Sequence, residues 1–229
     1  MKILSIIPAR SGSKGIPKKN IKILGNKPLI AYSISTSLEC KLISKTIVST
    51  DSEKIAKISL SYGAWIPFLR PKKLAKDNTP TLPVIQFTLR ELKKMGFDYD
   101  AVCLLQPTTP FRELDFLNKC LRKFKKTKPD SLISVRKVPD EYNPHWVFKP
   151  DNKNFLKLAT GDKKIIPRRQ DLPDCFIRDG SVYITSTECL LKKNSLFGDR
   201  ISYLENDSEI YCNLDTLDDW KNAEKIIKG

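Results

Sequence analysis

Residues 2–20 read KILSIIPARSGSKGIPKKN, an unbroken apolar run that closes on a proline and opens directly into a loop of glycine, serine and lysine. A run that is uninterrupted rather than alternating, here residues 2–8, is the pattern of a strand buried on both faces, as in a parallel sheet. The loop that follows, residues 8–20, carries Gly12 and Gly15 together with Arg10, Lys14, Lys18 and Lys19. Glycine-rich turns at the carboxyl ends of parallel strands hold phosphate in α/β proteins, because bare backbone N–H groups converge there on an anion. The spacing is neither G-x-x-x-x-G-K-[ST] nor G-x-G-x-x-G, which excludes a Walker A loop and a dinucleotide fingerprint. Taken alone, the loop reads equally well as a basic stretch of surface.

Four further apolar runs, at 46–50, 64–69, 101–106 and 131–135, complete a set of five strands. Helical spacing fills the gaps at 28–40, 52–62, 80–95 and 113–124, the last two started by Thr79 and Arg112 or nearby polar caps. Strand and helix alternating in this way predict an α/β fold with a doubly wound, mostly parallel sheet and right-handed crossovers. The alternation breaks at residues 136–180, rich in Pro, Asp, Asn, Lys and Arg, where only 146–148 and 155–156 hint at short strands. That segment reads as an irregular insertion or arm within one domain spanning residues 1–229. Regular structure returns with strands at 181–186 and 201–204 and a closing helix at 216–228, which sets Trp220, Ala223, Ile226 and Ile227 near one face.

With 229 residues and 40% hydrophobic content, the chain is long enough for one α/β core. Its six cysteines include no C-x-x-C pair and read as reduced, packed thiols of a cytoplasmic protein. The apolar run at residues 3–7 is too short for a signal peptide, and no stretch approaches a membrane span, so the expectation is a soluble protein that is not exported. The formal charge of +15 suits polyanionic partners such as nucleic acid, nucleoside triphosphate or acidic sugars. Much of it is lysine on helix faces, and no helix-turn-helix, RRM or other reader motif supports a nucleic-acid partner.

The run IPARSGSKGIPKKNI at 7–21 resembles the N-terminal motif of the CMP-sialic acid synthetases, the acylneuraminate cytidylyltransferases. The likeness recurs in register at Ser49-Thr50-Asp51-Ser52, Leu69-Arg70-Pro71, LLQPTTPFR (104–112), RQDLP (169–173), DGSVYI (179–184) and LDTLDDW (214–220), and so covers nearly the whole chain. The Kdo-activating enzymes, a related group, differ in the loop, where Ser-Gly-Ser-Lys-Gly favours nonulosonic acids.

The resemblance implies a Rossmann-like nucleotidyltransferase fold with a dimerisation arm at 136–180. It also implies CMP transfer from CTP to the anomeric hydroxyl of an acidic nine-carbon sugar of the sialic, legionaminic or pseudaminic type. By resemblance, Arg10, Ser13, Lys14 and Lys19 hold the triphosphate, Asn20 reaches ribose or phosphate, and Arg70, with Thr81 in the segment beyond it, faces the base. Gln106, Arg168, Arg169, Gln170 and Arg178 are the implied sugar contacts, some of them acting across a homodimer. Mg²⁺, with Mn²⁺ as a substitute, is the implied cofactor. The family's Asp-x-Asp metal pair reads Asn213-Leu214-Asp215 here, so Asp215 holds the ion alone with waters or is helped by Asp218 or Asp219. Asp215 reads alternatively as the N-cap of the last helix. His145, the only histidine, has no partner at triad or metal spacing and reads as structural or substrate-adjacent.

Overall fold

A computed structural model describes residues 1–12 and 15–228. In chain order the elements are β1 (Ile3–Pro8), β2 (Ile23–Leu24), β3 (Lys27–Pro28), α1 (Leu29–Glu39), β4 (Lys45–Ser49), α2 (Glu53–Ser61), α3 (Thr81–Lys94) and β5 (Ala101–Leu104). They continue with α4 (Leu114–Thr127), β6 (Ser131–Lys137), β7 (Phe148–Pro150), β8 (Leu156–Leu158), β9 (Phe176–Ser186), α5 (Thr187–Leu191), β10 (Ile201–Glu205) and α6 (Leu217–Lys228).

Six strands form one sheet in the order β10-β6-β9-β5-β1-β4. Every pairing is parallel except those of β9, which runs antiparallel to both β5 and β6. The strands are continuously apolar because both faces are covered. On β1, Ile3 and Ile7 join a cluster with Ile30 and Ile34 of α1 and Leu117 and Leu121 of α4, while Leu4 and Ile6 pack with Ile85 and Leu89 of α3. Successive side chains alternate faces along a strand, so burial on both sides makes an alternating pattern into a continuous one.

The expected strand at 64–69 does not form. Only Trp65 bridges β4: its N–H donates to Thr46 O at 2.9 Å and its carbonyl accepts from Val48 N at 3.3 Å. Pro67 has no N–H to carry the ladder further. Nor are α3 and α4 capped as expected, since their N-cap positions are Pro80 and Glu113 and neither makes a side-chain capping bond. In α6, Trp220 and Ala223 are buried, whereas Ile226 and Ile227 stay partly open to solvent. Residues 138–175 hold 3₁₀ turns and the β7–β8 hairpin. All six cysteines are free, and among the described residues no helix is long and apolar enough to cross a membrane.

Candidate active site

The chain leaves β1 for β4 on one side and then crosses back to β5 on the other. This reversal opens a crevice at the carboxyl ends of β1 and β5, the usual ligand site of open α/β sheets. A cleft of about 330 Å³ lies there, within the range of small-molecule sites. Arg10, Lys19, Asn20, Arg70, Thr81, Gln106 and Asp215 all line it, seven of the residues singled out from sequence. Among the described residues its charged lining is Arg10, Lys19, Arg70 and Lys76 against Asp77 and Asp215, an excess of positive charge that suits a polyanion. Ser13 and Lys14 fall outside the described residues.

Three loops distant in sequence are locked together beneath the cleft. Ile16 is buried in an apolar cluster with Leu24, Leu29, Leu214, Trp220 and Ala223, which anchors the loop after β1 to α6. Gly15 lies so close to the Asp215 carbonyl that no side chain fits between them. Lys18, at φ 54°, turns the chain into a short 3₁₀ segment, Lys19–Ile21. Lys19 Nζ then donates to Leu214 O at 2.6 Å and pairs with Asp215 Oδ1 at 3.1 Å. Leu214 N donates to Thr108 O at 2.8 Å, bringing in the loop after β5. Asn20 Nδ2 donates to Arg10 O at 3.1 Å and holds the loop in shape from within.

Asp215 is not the N-cap of α6. Thr216 takes that position, its Oγ1 accepting from Asp219 N at 3.2 Å while Asp219 Oδ2 accepts from Thr216 N at 2.7 Å, a reciprocal capping box. The backbone N–H of Asp215, donating to Asp219 Oδ2 at 2.9 Å, and that of Thr216 hold the Asp219 carboxyl below its usual range against the opposing effect of burial. The Asp215 carboxylate is therefore left for Lys19 and for Asn213, whose Nδ2 donates to Asp215 Oδ2 at 2.8 Å. Asp218 pairs instead with Lys221 on the exposed face of α6. Among the described residues no three His, Cys, Asp or Glu side chains converge on a metal site.

Opposite the loop, Arg70 is 5% exposed, and its Nε and Nη2 have no hydrogen-bond partner among the described residues. Its nearest carboxylate, Asp51, lies 3.9 Å away and is taken up by Ser11, whose N and Oγ donate at 2.9 and 2.7 Å. Burial lowers the Arg70 pKa from its ordinary value, and neighbouring Arg10 adds to that. A guanidinium held dry with open donors beside a cleft is prepared for a ligand acceptor. Arg10 forms an ion pair with Asp77.

The arginines expected at the sugar do not join this cleft in the single chain. Arg168 pairs with Asp171 at 2.7 Å, Arg169 pairs with Asp140, and both are exposed, as is Gln170. Arg178 is exposed on β9, where it hydrogen-bonds Tyr183. His145 Nδ1 lies 3.0 Å from Asp162 Oδ2, and His145 does not line the cleft. Sequence reasoning gave no site role to Asp51 or Arg112, although both stand inside recognised motifs, and read Arg112 only as a candidate helix start.

A mixed sheet with one reversed strand and a cationic cleft at its switch point define an α/β nucleotidyltransferase. The same fold occurs in the CMP:2-keto-3-deoxy-manno-octonic acid synthetase complexed with CTP, at a TM-score of 0.76 and 13% identity over 100% of this chain and 99% of that one. The chain belongs to the cytidylyltransferase family, whose model matches residues 4–214. It is 32% identical over 231 residues to the CMP-N,N'-diacetyllegionaminic acid synthase of Legionella pneumophila, covering 100% of this chain and 97% of that protein. It is likewise 32% identical over 228 residues to the pseudaminic acid cytidylyltransferase of Campylobacter jejuni, with the same coverage.

Proposed function

We propose that this cytidylyltransferase transfers CMP from CTP to the anomeric hydroxyl of a nonulosonic acid of the sialic, legionaminic or pseudaminic type. The observation that carries this reading is full-length likeness to relatives named for legionaminic and pseudaminic acid. The sugar oxygen attacks the α-phosphorus, the bond from that phosphorus to the bridging oxygen breaks, and pyrophosphate leaves. The hydroxyl proton passes to water or to a phosphate oxygen. Phosphoryl-type transfer depends on positioning and charge neutralisation more than on covalent help from side chains.

In this reading Arg10 and Lys19, with Ser13 and Lys14, hold the triphosphate, and Lys19 neutralises charge that builds on the leaving pyrophosphate. Arg70 donates to the cytosine, and Asn20 and Thr81 flank the nucleotide. Gln106 contacts the sugar acid. Mg²⁺ accepts a site with one or two carboxylates completed by phosphate oxygens and water, and Asp215, with Asn213 as a neutral oxygen donor, fits that requirement. When bound there, Mg²⁺, or Mn²⁺ in its place, would supply neutralisation of phosphate charge. Asp218 is the weaker candidate ligand because it does not line the cleft, whereas Asp215 does.

The proposed working form is a cytoplasmic homodimer joined through the arm. Phe148, Phe155 and Leu156 of the β7–β8 region are 45, 69 and 67% exposed, large apolar side chains that a second copy would cover. That arrangement would let Arg168, Arg169, Gln170 or Arg178 serve the partner's cleft. The test is pyrophosphate release from CTP and Mg²⁺ with Neu5Ac, legionaminic, pseudaminic and Kdo acids. Turnover with one nonulosonic acid, abolished in Asp215→Ala, is expected; release with Kdo alone would move the substrate outside this class.

A further inference from the structure

Arg112, in the loop after β5, is 6% exposed and makes no ion pair among the described residues. Burial pulls its pKa down to about 10. A buried cation without a bonded carboxylate is costly, and an apolar side chain would fill the same space without that cost. The fork of the guanidinium explains its presence. Nε donates to Ser181 O at 2.6 Å, Nη2 to Gln106 O at 3.2 Å and Nη1 to Ser33 Oγ at 3.3 Å, so one planar group joins β9, the cleft-lining loop and α1.

Of the two residues that supply the backbone acceptors, Gln106 lines the cleft and Ser181 lies on β9. A Cβ built on Gly180 would stand 3.5 Å from Gln106 Oε1, so β9 lies against the Gln106 carboxamide at Gly180. Thr109 Oγ1 donates to Gly180 O at 2.9 Å and reinforces the same junction. Arg112 itself does not line the cleft, whereas Gln106 does.

We infer that Arg112 is a positioning residue for the acceptor half of the site, holding the Gln106 backbone, and through it the Gln106 carboxamide, beside Gly180 of β9 and thereby setting affinity for the acidic sugar. The inference rests on Gln106 as a sugar contact. Lysine keeps the charge at this position but cannot present three donors in one plane.

The test compares Arg112→Lys, the milder Thr109→Val and Gln106→Ala, using the acid turned over best. The readouts are KM for that acid, Kd for CTP by calorimetry, and melting temperature. Arg112→Lys is expected to raise KM for the acid about tenfold, the effect of one lost hydrogen bond, while Kd for CTP stays within about twofold. Thr109→Val should shift KM in the same direction by less. In a Gln106→Ala background Arg112→Lys should add nothing, because both changes act through one carboxamide. If Gln106→Ala raises KM for the acid but Arg112→Lys does not, or if Arg112→Lys moves the acid and CTP constants together, the positioning role is wrong. If Gln106→Ala alone leaves KM for the acid unchanged, the sugar contact itself is wrong.

Discussion

Replacing Gly15 with alanine drives a methyl group against the backbone of Asp215, well inside contact distance of its carbonyl oxygen and to 3.4 Å from its carbon. A backbone carbonyl cannot rotate aside as a flexible side chain can, so the loop and residues 214–215 must separate by about 1 Å. That displacement acts on Lys19, whose Nζ is fixed by Leu214 O and Asp215 across the same junction. A shift of about 1 Å at reacting groups costs on the order of 100-fold in rate. The overpacking itself destabilises by about 1–3 kcal/mol. Pyrophosphate release should fall roughly 100-fold in Gly15→Ala, with a lower melting temperature. Wild-type activity in Gly15→Ala would refute the claim that contact between the loop after β1 and Asp215 sets the catalytic geometry.

Arg70→Met removes a buried guanidinium whose Nε and Nη2 are unpartnered, so CTP affinity should fall about 10–100-fold while the unliganded protein melts no lower; calorimetry with CTP and thermal unfolding check both halves. Asp130 accepts from Lys193 Nζ at 2.8 Å and from the amides of Asp199 and Arg200 at 2.9 and 3.1 Å, which holds its pKa well below the carboxylate range, Lys193 contributing most. Because the folded pKa is the depressed one, this stabilisation is present above about pH 4 and is lost as pH falls further. Asp130→Asn should therefore lower the melting temperature at neutral pH and flatten its acid decline, and parallel pH profiles would exclude that role. Leu156→Asp in the arm should shift the protein from dimer to monomer in analytical ultracentrifugation with the fold intact by circular dichroism.

The strands were legible wherever both faces are buried, because a run such as 2–8 admits few other readings. The run at 64–69 is equally apolar but is cut by Pro67 and lies outside β4 at the sheet edge, so it makes one bridge. Strand direction is not encoded in periodicity, and the reversal of β9 was invisible for that reason. In the site, the loop after β1 could be read from its glycines and cations. Its junction with Asp215, 200 positions away, depends on a close approach that glycine spacing does not report. Asp-Thr-x-Asp offered a cap on Asp215, and only geometry shows Thr216 taking the cap and leaving the Asp215 carboxylate for Lys19. Arg112 stayed hidden because a buried arginine and a surface arginine look alike in sequence.

The central claim, attack on the α-phosphorus by the anomeric oxygen of a nonulosonic acid, is tested most directly with an acid labelled with ¹⁸O at that oxygen. The enzyme, CTP and Mg²⁺ should yield a CMP-sugar that carries the label in the bridge between sugar and phosphorus, with unlabelled pyrophosphate. Label in the pyrophosphate, or pyrophosphate release without a CMP-sugar, would contradict the account.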